Sequence, residues 1–442
     1  MTTSVGRGAS VALGRAPVDS GCLRTPQTTP PERQPPHVTT PSTPDVPEPA
    51  PDTERPLTIV IGCDTFAPDV NGAARFAERL AAGLASRGHD VHVVAPGLKY
   101  RTYPPATEII EGVPITVHRL PAVRWKPHDW LRFVWPWRSK HYARQVLDSV
   151  KPDIVHIQSH IVIGRGLARE ARKRGIPVVA TNHVMAENIL DFTTLPPVLD
   201  KVFVKLAWDD ASRTFHMARA VTTPTRRAAD FLEATIDIHG VIPISCGIDA
   251  SGYTADLSPR DENRILFVGR LTTEKHVDTL LQAVTKLDPA LNATVEVVGG
   301  GDQRKSLDAL VQQLGLADRV TFHGRVEEEE LRRILTRATV FAMPSIAELQ
   351  SIATMEAMAS GLPVVAADAL ALPHLVHDGE NGWLFRPQNA DDLAEKLTRV
   401  LTASPEEYRA MQEASLKGVE IHDIARTLDT FEKLYRGQPV AP

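Results

Sequence analysis

Short apolar runs alternate with amphipathic stretches over most of this chain. LTIVIGC, beginning at Leu57, is a β-branched run of the buried-strand type. A turn-rich stretch, DTFAPDVNG, comes next. AARFAERLAAGLASRG then repeats its apolar positions at helical spacing and stops at Gly88, a glycine suited to a helix C-cap. HDVHVVAP returns to the strand pattern, and DIVHIQ, IGRGLAREARKRG, PVVATNH and AVTTPT continue the alternation. A second series opens near Asn263: RILFVG, EKHVDTLLQAVTKL, TVEVVGGG, DQRKSLDALVQQLG, RVTFHG, VEEEELRRILTRA, TVFAMP, SIATMEAMASG and PVVAAD. Strands alternating with helices predict a parallel sheet covered on both faces. Two such series predict an α/β chain of two doubly wound, Rossmann-like parallel-sheet domains facing a central cleft. The predicted boundaries are a tail at 1–56, a first domain at 57–245, a polar linker at 246–262, a second domain at 263–420, and a closing helix and tail at 421–442.

The first 56 residues are dominated by Pro, Thr, Ser and Glu. Such a composition buries too little apolar surface to offset the entropy of ordering, so a disordered tail is expected there. The 442 residues carry a net charge of -5, which gives no global basic field for nucleic acid. Cys22, Cys63 and Cys246 are scattered without a CxxC pair. That pattern predicts neither a disulfide framework nor a zinc site, and it fits a reducing cytoplasm. No apolar run reaches the roughly 18 residues that a membrane-spanning helix needs.

Ligands of doubly wound sheets bind outside the carboxyl ends of the strands. Three such places carry chemistry in the second half. In PSIAELQSIATMEAMASGLPVVAAD, residues 344–368, Glu348 falls in the loop after a strand and Glu356 in the second turn of the following helix. The amides of Gln350, Ser351 and Ile352 are predicted free at that helix start, where the dipole also favours a phosphate. Two carboxylates flanking it could accept from sugar and ribose hydroxyls. A nucleotide sugar has hydroxyls, diphosphate and ribose together. In VGRLTTEKH, residues 268–276, Arg270 and Lys275 leave a strand end as a pair able to neutralise a departing diphosphate. In VVGGGDQRKSL, Gly299, Gly300 and Gly301 permit close approach of backbone to ligand. The spacing is not that of a dinucleotide fingerprint.

These motifs, with FAPDVNGAA, resemble the retaining glycosyltransferase family called glycosyl transferases group 1, over residues 57–436. The resemblance implies the GT-B fold and transfer of a hexose from a nucleoside-diphosphate sugar to a hydroxyl. It implies that Arg270 and Lys275 hold the donor diphosphate, that Glu356 holds the ribose, and that Glu348 holds the hexose. Asn71 and Gly72 would line the diphosphate and acceptor, and His160 would lie near the transferred sugar. His183, another strand-end histidine, is expected on the acceptor side. Family members need no metal, and no cofactor is expected beyond the donor itself. Asp209-Asp210 and Asp391-Asp392 read as solvated helix faces. Where many members have Phe-Gly after the first glutamate, this chain has Leu349-Gln350, as in the diacylglycerol and glycolipid branch. The donor stays open between GDP-mannose and UDP-glucose.

VRWKPHDWLRFVWPWRSKHYAR, residues 123–144, holds four of the six tryptophans, interleaved with basic residues. Trp130, Arg132, Trp137 and Arg138 are therefore expected to touch an anionic membrane surface and present a lipid acceptor. The protein is thus expected in the cytoplasm, peripheral on the inner face of the membrane. A soluble polyol or inositol-type acceptor, and a nucleotide-sugar epimerase on the same fold, remain open alternatives.

Overall fold

The computed structural model describes residues 55–69, 71–124, 132–183 and 197–440. Residues 1–54 of the tail lie outside the described residues, as do Trp125, Lys126 and Trp130.

Ten of the strands belong to the first half: β1 Thr58–Gly62, β2 Asp90–Pro96, β3 Ala106–Ile110, β4 Val113–Leu120, β5 Ala122–Arg124, β6 Arg132–Val134, β7 Ile154–Ile157, β8 Val178–Thr181, β9 Ala220–Thr223 and β10 Ile242–Pro243. Eight form one sheet in the order β10-β9-β8-β7-β1-β2-β4-β3, while β5 and β6 make a separate ribbon. Every pairing in the large sheet is parallel except the last, where β3 folds back antiparallel on β4. The expectation of a wholly parallel sheet missed this hairpin. Glu111 and Gly112, both at positive φ, make the tight turn that a two-residue connection needs.

The second half holds β11 Arg264–Val268, β12 Thr294–Val298, β13 Val320–Gly324, β14 Val340–Met343, β15 Val364–Ala367 and β16 Gly382–Phe385. They form an all-parallel sheet ordered β13-β12-β11-β14-β15-β16. Its strands β14 and β15 are buried along their whole length, as their unbroken apolar runs require. Phe267, Phe341 and Phe385 lie wholly inside this core.

Both sheets reverse their strand order once. In the first, β1 has β2 on one side and β7 on the other. In the second, β11 has β12 on one side and β14 on the other. The loops leaving β1, β7, β11 and β14 therefore flank the crevices where such sheets take ligands.

The chain crosses between the halves twice, and the crossings run side by side. Ile248 bridges Asp423 in parallel, with Ile248 N–H donating to the His422 carbonyl at 2.8 Å. The helix Pro405–Val419 stays on the second half, where Ser415 Oγ donates to the Leu362 carbonyl at 2.7 Å. The last helix, Ile424–Tyr435, returns to the first half and buries Leu428, Phe431 and Tyr435 in its core with Phe76 and Leu80. Among the described residues, no helix is long and apolar enough to cross a membrane.

Candidate active site

In the second half the loop after β14 carries Glu348, and the helix Ile352–Ala359 starts beyond it. Ser351 is the N-cap: its Oγ accepts from Thr354 N–H at 3.4 Å and from Thr354 Oγ1 at 2.8 Å. The Gln350, Ser351 and Ile352 amides find no acceptor among the described residues. The loop after β11 approaches the same place. Glu274's carbonyl accepts from Ile346 N–H at 3.1 Å, tying the two loops together. The Lys275 ammonium, on the short turn Thr273–Lys275, forms an ion pair with Glu348. Arg270 lies beside Glu274, 3.6 Å from its carboxylate. A cation from one loop thus meets a carboxylate from the other, three residues before a capped helix start.

Gly299 and Gly301 are fixed by packing. A Cβ on Gly299, at φ 130°, would sit 1.8 Å from the Gly269 carbonyl oxygen, and one on Gly301 would sit 2.2 Å from that of Leu271. These glycines let the loop after β12 press on the loop that bears Arg270. Gly300 differs: an added Cβ would meet only the Arg325 side chain, at 4.0 Å, so packing does not require a glycine there.

The first half supplies a second helix start. Asn71 caps the helix Gly72–Ser86, its Oδ1 accepting from Ala74 N–H at 2.9 Å. A Cβ on Gly72 would come 4.0 Å from Ile352 Cδ1. The two helix N-termini therefore meet across the cleft, and both dipoles present their positive ends there. Thr225 also bridges the halves, donating to the Leu349 carbonyl at 3.1 Å.

His160 follows β7 and is buried, with its Nδ1 lacking a hydrogen-bond partner among the described residues. Its ring packs near Phe215 and Trp208 at 5.3 and 6.4 Å between centroids. Burial lowers its pKa to about 4, so the ring is neutral near pH 7. His183 follows β8, shares a hydrogen bond with Gln158 Oε1 at 2.9 Å, and rests on Phe76 at 5.0 Å. Burial brings it down to about 3.

Several residues here escaped the sequence reading. Asp64, just past β1, is fully engaged: Ile163 N–H donates to it at 2.9 Å, Val162 N–H at 3.2 Å, and the Ser159 hydroxyl also donates. It caps the helix Ile163–Lys173 and pins the loop that bears His160. Arg79 reaches across the cleft to Glu356 at 2.8 Å. Arg75 likewise pairs with Glu328 of the second half. Only the position of Asp64 in a turn after a strand hinted at its role. Nothing in the sequence pairs Arg79 with a residue 277 positions later.

Gln350 departs from expectation in its side chain. Its Oε1 accepts from Cys246 N–H at 2.7 Å and its Nε2 donates to Ser245 Oγ at 3.0 Å. It thereby anchors the start of the Ile352–Ala359 helix to the crossing between the halves. Arg132, expected at a membrane surface, is instead turned inward onto Asp69, a carboxylate too buried to stand without a cation. Trp137 is 69% exposed and stacks on Trp135 at 4.7 Å. Arg138 lies over the exposed Tyr100 ring at 5.5 Å. Trp130 lies outside the described residues. Of the paired aspartates read as solvated, Asp209 is exposed, but Asp210 pairs with Arg165. Asp391 is exposed beside Lys286, whereas Asp392 is held by the backbone of Arg386.

Two doubly wound domains with their switch points facing, and amide-rich helix starts from both, define a GT-B glycosyltransferase. The family descriptions agree: Glycosyltransferase Family 4 matches residues 70–251, and Glycosyl transferases group 1 matches residues 255–417. The chain belongs to the glycosyl transferases group 1 family. It is 30% identical over 340 residues to a GDP-mannose-dependent alpha-mannosyltransferase of Mycolicibacterium smegmatis, covering 74% of this chain and 84% of that one. It is 27% identical to a protein of the same description from Corynebacterium glutamicum, over 75% and 77% of the two chains. A D-inositol 3-phosphate glycosyltransferase of Mycolicibacterium smegmatis is 30% identical over 64% of this chain and 67% of its own. Among solved structures, sucrose-phosphate synthase of Thermosynechococcus elongatus superposes with TM-score 0.72 at 21% identity, covering 86% of this chain and 98% of that one. Anabaena HepE in complex with UDP-glucose gives 0.66 at 17% identity, over 86% and 100%. These two likenesses concern the fold.

Proposed function

We propose that this enzyme transfers mannose from GDP-mannose to a hydroxyl of a membrane glycolipid or diacylglycerol-type lipid, with retention of anomeric configuration. The observation that carries the reading is the meeting of the Lys275 and Glu348 loops beside the capped start of the Ile352–Ala359 helix. That arrangement suits a diphosphate held by Arg270, Lys275 and the helix-start amides, with Glu348 on the hexose and Glu356 on the ribose. His160 and Gly72 would approach the sugar and diphosphate from the other half, with Asn71 and His183 on the acceptor side. The GDP-mannose-dependent relatives favour that donor over UDP-glucose.

In the reaction the bond from C1 to the diphosphate oxygen breaks and one from C1 to the acceptor oxygen forms on the same face. The acceptor proton passes to the departing diphosphate, which leaves as GDP. The charge that builds on the diphosphate is met by the two cations and the helix dipole, which are already oriented before reaction. No metal is needed for this, and turnover in EDTA is expected to equal that in its absence.

Trp137, Tyr100 and Arg138 support a lipid acceptor, because an exposed aromatic beside a cation suits a headgroup layer on the cytoplasmic face. A soluble inositol-phosphate acceptor is the second reading, favoured by the inositol 3-phosphate relative. The test is a screen of labelled GDP-mannose and UDP-glucose against extracted lipids, inositol phosphate and no acceptor. Label entering the lipid phase from GDP-mannose alone is the expected result, with the product α-linked by proton NMR. Label in the aqueous acceptor would select the second reading. Conversion of the donor, without any acceptor, to an isomeric nucleotide sugar that keeps its diphosphate would instead make the protein an epimerase. Binding to anionic vesicles is expected to fall in a Trp137→Ala, Arg138→Glu variant; unchanged binding would remove the membrane contact from the reading.

A further inference from the structure

Arg79 and Glu356 come from opposite halves of the molecule, and both are nearly inaccessible. Their side chains are 11% and 8% exposed, and Arg79 Nη2 lies 2.8 Å from Glu356 Oε1. The contact uses one nitrogen and one oxygen, although guanidinium and carboxylate can pair through two. Arg79 Nη1 is buried with no partner among the described residues. So is the hydroxyl of Tyr253, on the segment just after the crossing into the second half. Glu356's charge acts on both Arg79 and the Tyr253 phenol. A monodentate ion pair thus sits at a domain interface with donor capacity to spare. Each group would lose its partner if the halves moved apart.

From this geometry we infer that Arg79 is a positioning residue for the donor site: supplied by the opposite half, it holds the Glu356 carboxylate where it can accept from a ribose hydroxyl, so ribose is read only when the halves are closed. The inference rests on the reading of Glu356 as the ribose residue. Arg79 fixes Oε1 and so orients Oε2. With Arg79 withdrawn, a lone glutamate on the second turn of a helix has several rotamers open to it, and a single aimed acceptor is lost. The neighbouring Arg75–Glu328 pair closes the same seam without touching Glu356. It therefore provides a control for the general effect of losing a charge pair between the halves.

The test is calorimetric binding of GDP, 2′-deoxy-GDP and 3′-deoxy-GDP to the full chain and to its Arg79→Gln, Arg79→Lys, Glu356→Gln and Arg75→Gln variants. A hydroxyl bonded to a carboxylate is worth about 10-fold or more in affinity. The wild type is expected to prefer GDP over one of the deoxy forms by about that factor. Glu356→Gln and Arg79→Gln are both expected to bring the preference to within about 2-fold, while Arg79→Lys keeps part of it and Arg75→Gln keeps all of it. Loss of preference in Glu356→Gln but not in Arg79→Gln overturns the role of Arg79 alone. An undiminished preference in Glu356→Gln, or none in the wild type, overturns the ribose reading and the inference with it. Should Arg79→Gln fail to fold, Arg79→Lys decides: a shorter-reaching single amine that preserves the full preference also counts against the proposal.

Discussion

Truncating Lys275 to alanine perturbs two things at once, and the structure shows how to separate them. The Lys275 and Glu348 side chains are 14% and 10% exposed, so removal of the ammonium strands a carboxylate in a nearly dry place. Breaking a buried pair by removing one partner costs about 3–5 kcal/mol, and the slight exposure here puts the expected loss near the lower figure. At about 2–4 °C per kcal/mol for a domain of this size, thermal unfolding should shift down by roughly 6–12 °C. Independently, removing a preorganised group that meets charge in the transition state costs about 100-fold in kcat. Neutralising the stranded carboxylate in a Lys275→Ala, Glu348→Gln double variant should restore most of the melting temperature. It should leave turnover at least 100-fold down, since the diphosphate still lacks its cation and the hexose has also lost the Glu348 carboxylate. The assays are differential scanning fluorimetry and steady-state release of GDP from GDP-mannose. A double variant within about 3-fold of wild-type turnover would mean that Lys275 acts only by managing Glu348. The diphosphate role would then be refuted.

Gln350→Ala removes the acceptor for the Cys246 amide, a buried donor, and should cost about 1–3 kcal/mol in stability, read as a lower melting temperature; an unchanged melting temperature would show that water replaces the carboxamide without loss. Glu78 carries a pH prediction. Burial, partly offset by Arg75, raises its carboxyl from the usual 4.5 to about 7. The folded state therefore holds a proton that the unfolded state has released, and this contribution is complete below pH 4.5 and lost as pH rises through 7. Glu78→Gln should flatten the fall in stability across that window and gain up to about 3 kcal/mol at pH 8; parallel pH profiles for variant and wild type would show that the group titrates normally.

The periodicity of the chain disclosed almost every central strand, because strands buried on both faces must be short, continuous and apolar. LTIVIGC, RILFVG and TVFAMP could hardly be anything else. The β3–β4 hairpin was less legible. ATEII is an edge strand with mostly exposed positions, and exposure erases the apolar signature. Residues whose chemistry follows from a local motif were also readable: the cap at Ser351, the turn bearing Lys275 and the glycines after β12 all depend on neighbours within a few positions. Gln350, Asp64 and Arg79 were not readable as they stand. Their partners are at Cys246, Ile163 and Glu356, and only the folded chain brings those together. Arg132 shows the same limit from the other side. A basic residue among tryptophans suggests a membrane face, yet its strand turns it onto buried Asp69.

The central claim is that the second half grips an activated sugar by its diphosphate, between the Lys275 loop and the start of the Ile352–Ala359 helix. Isothermal titration of the wild type and of Lys275→Ala, Glu348→Gln with GDP-mannose, GDP and guanosine tests it most directly. GDP-mannose and GDP should bind the wild type far more tightly than guanosine, and the double variant should lose most of that difference while binding guanosine as before. Equal affinity of the wild type for GDP and guanosine, or a double variant that keeps the full difference, would contradict the account.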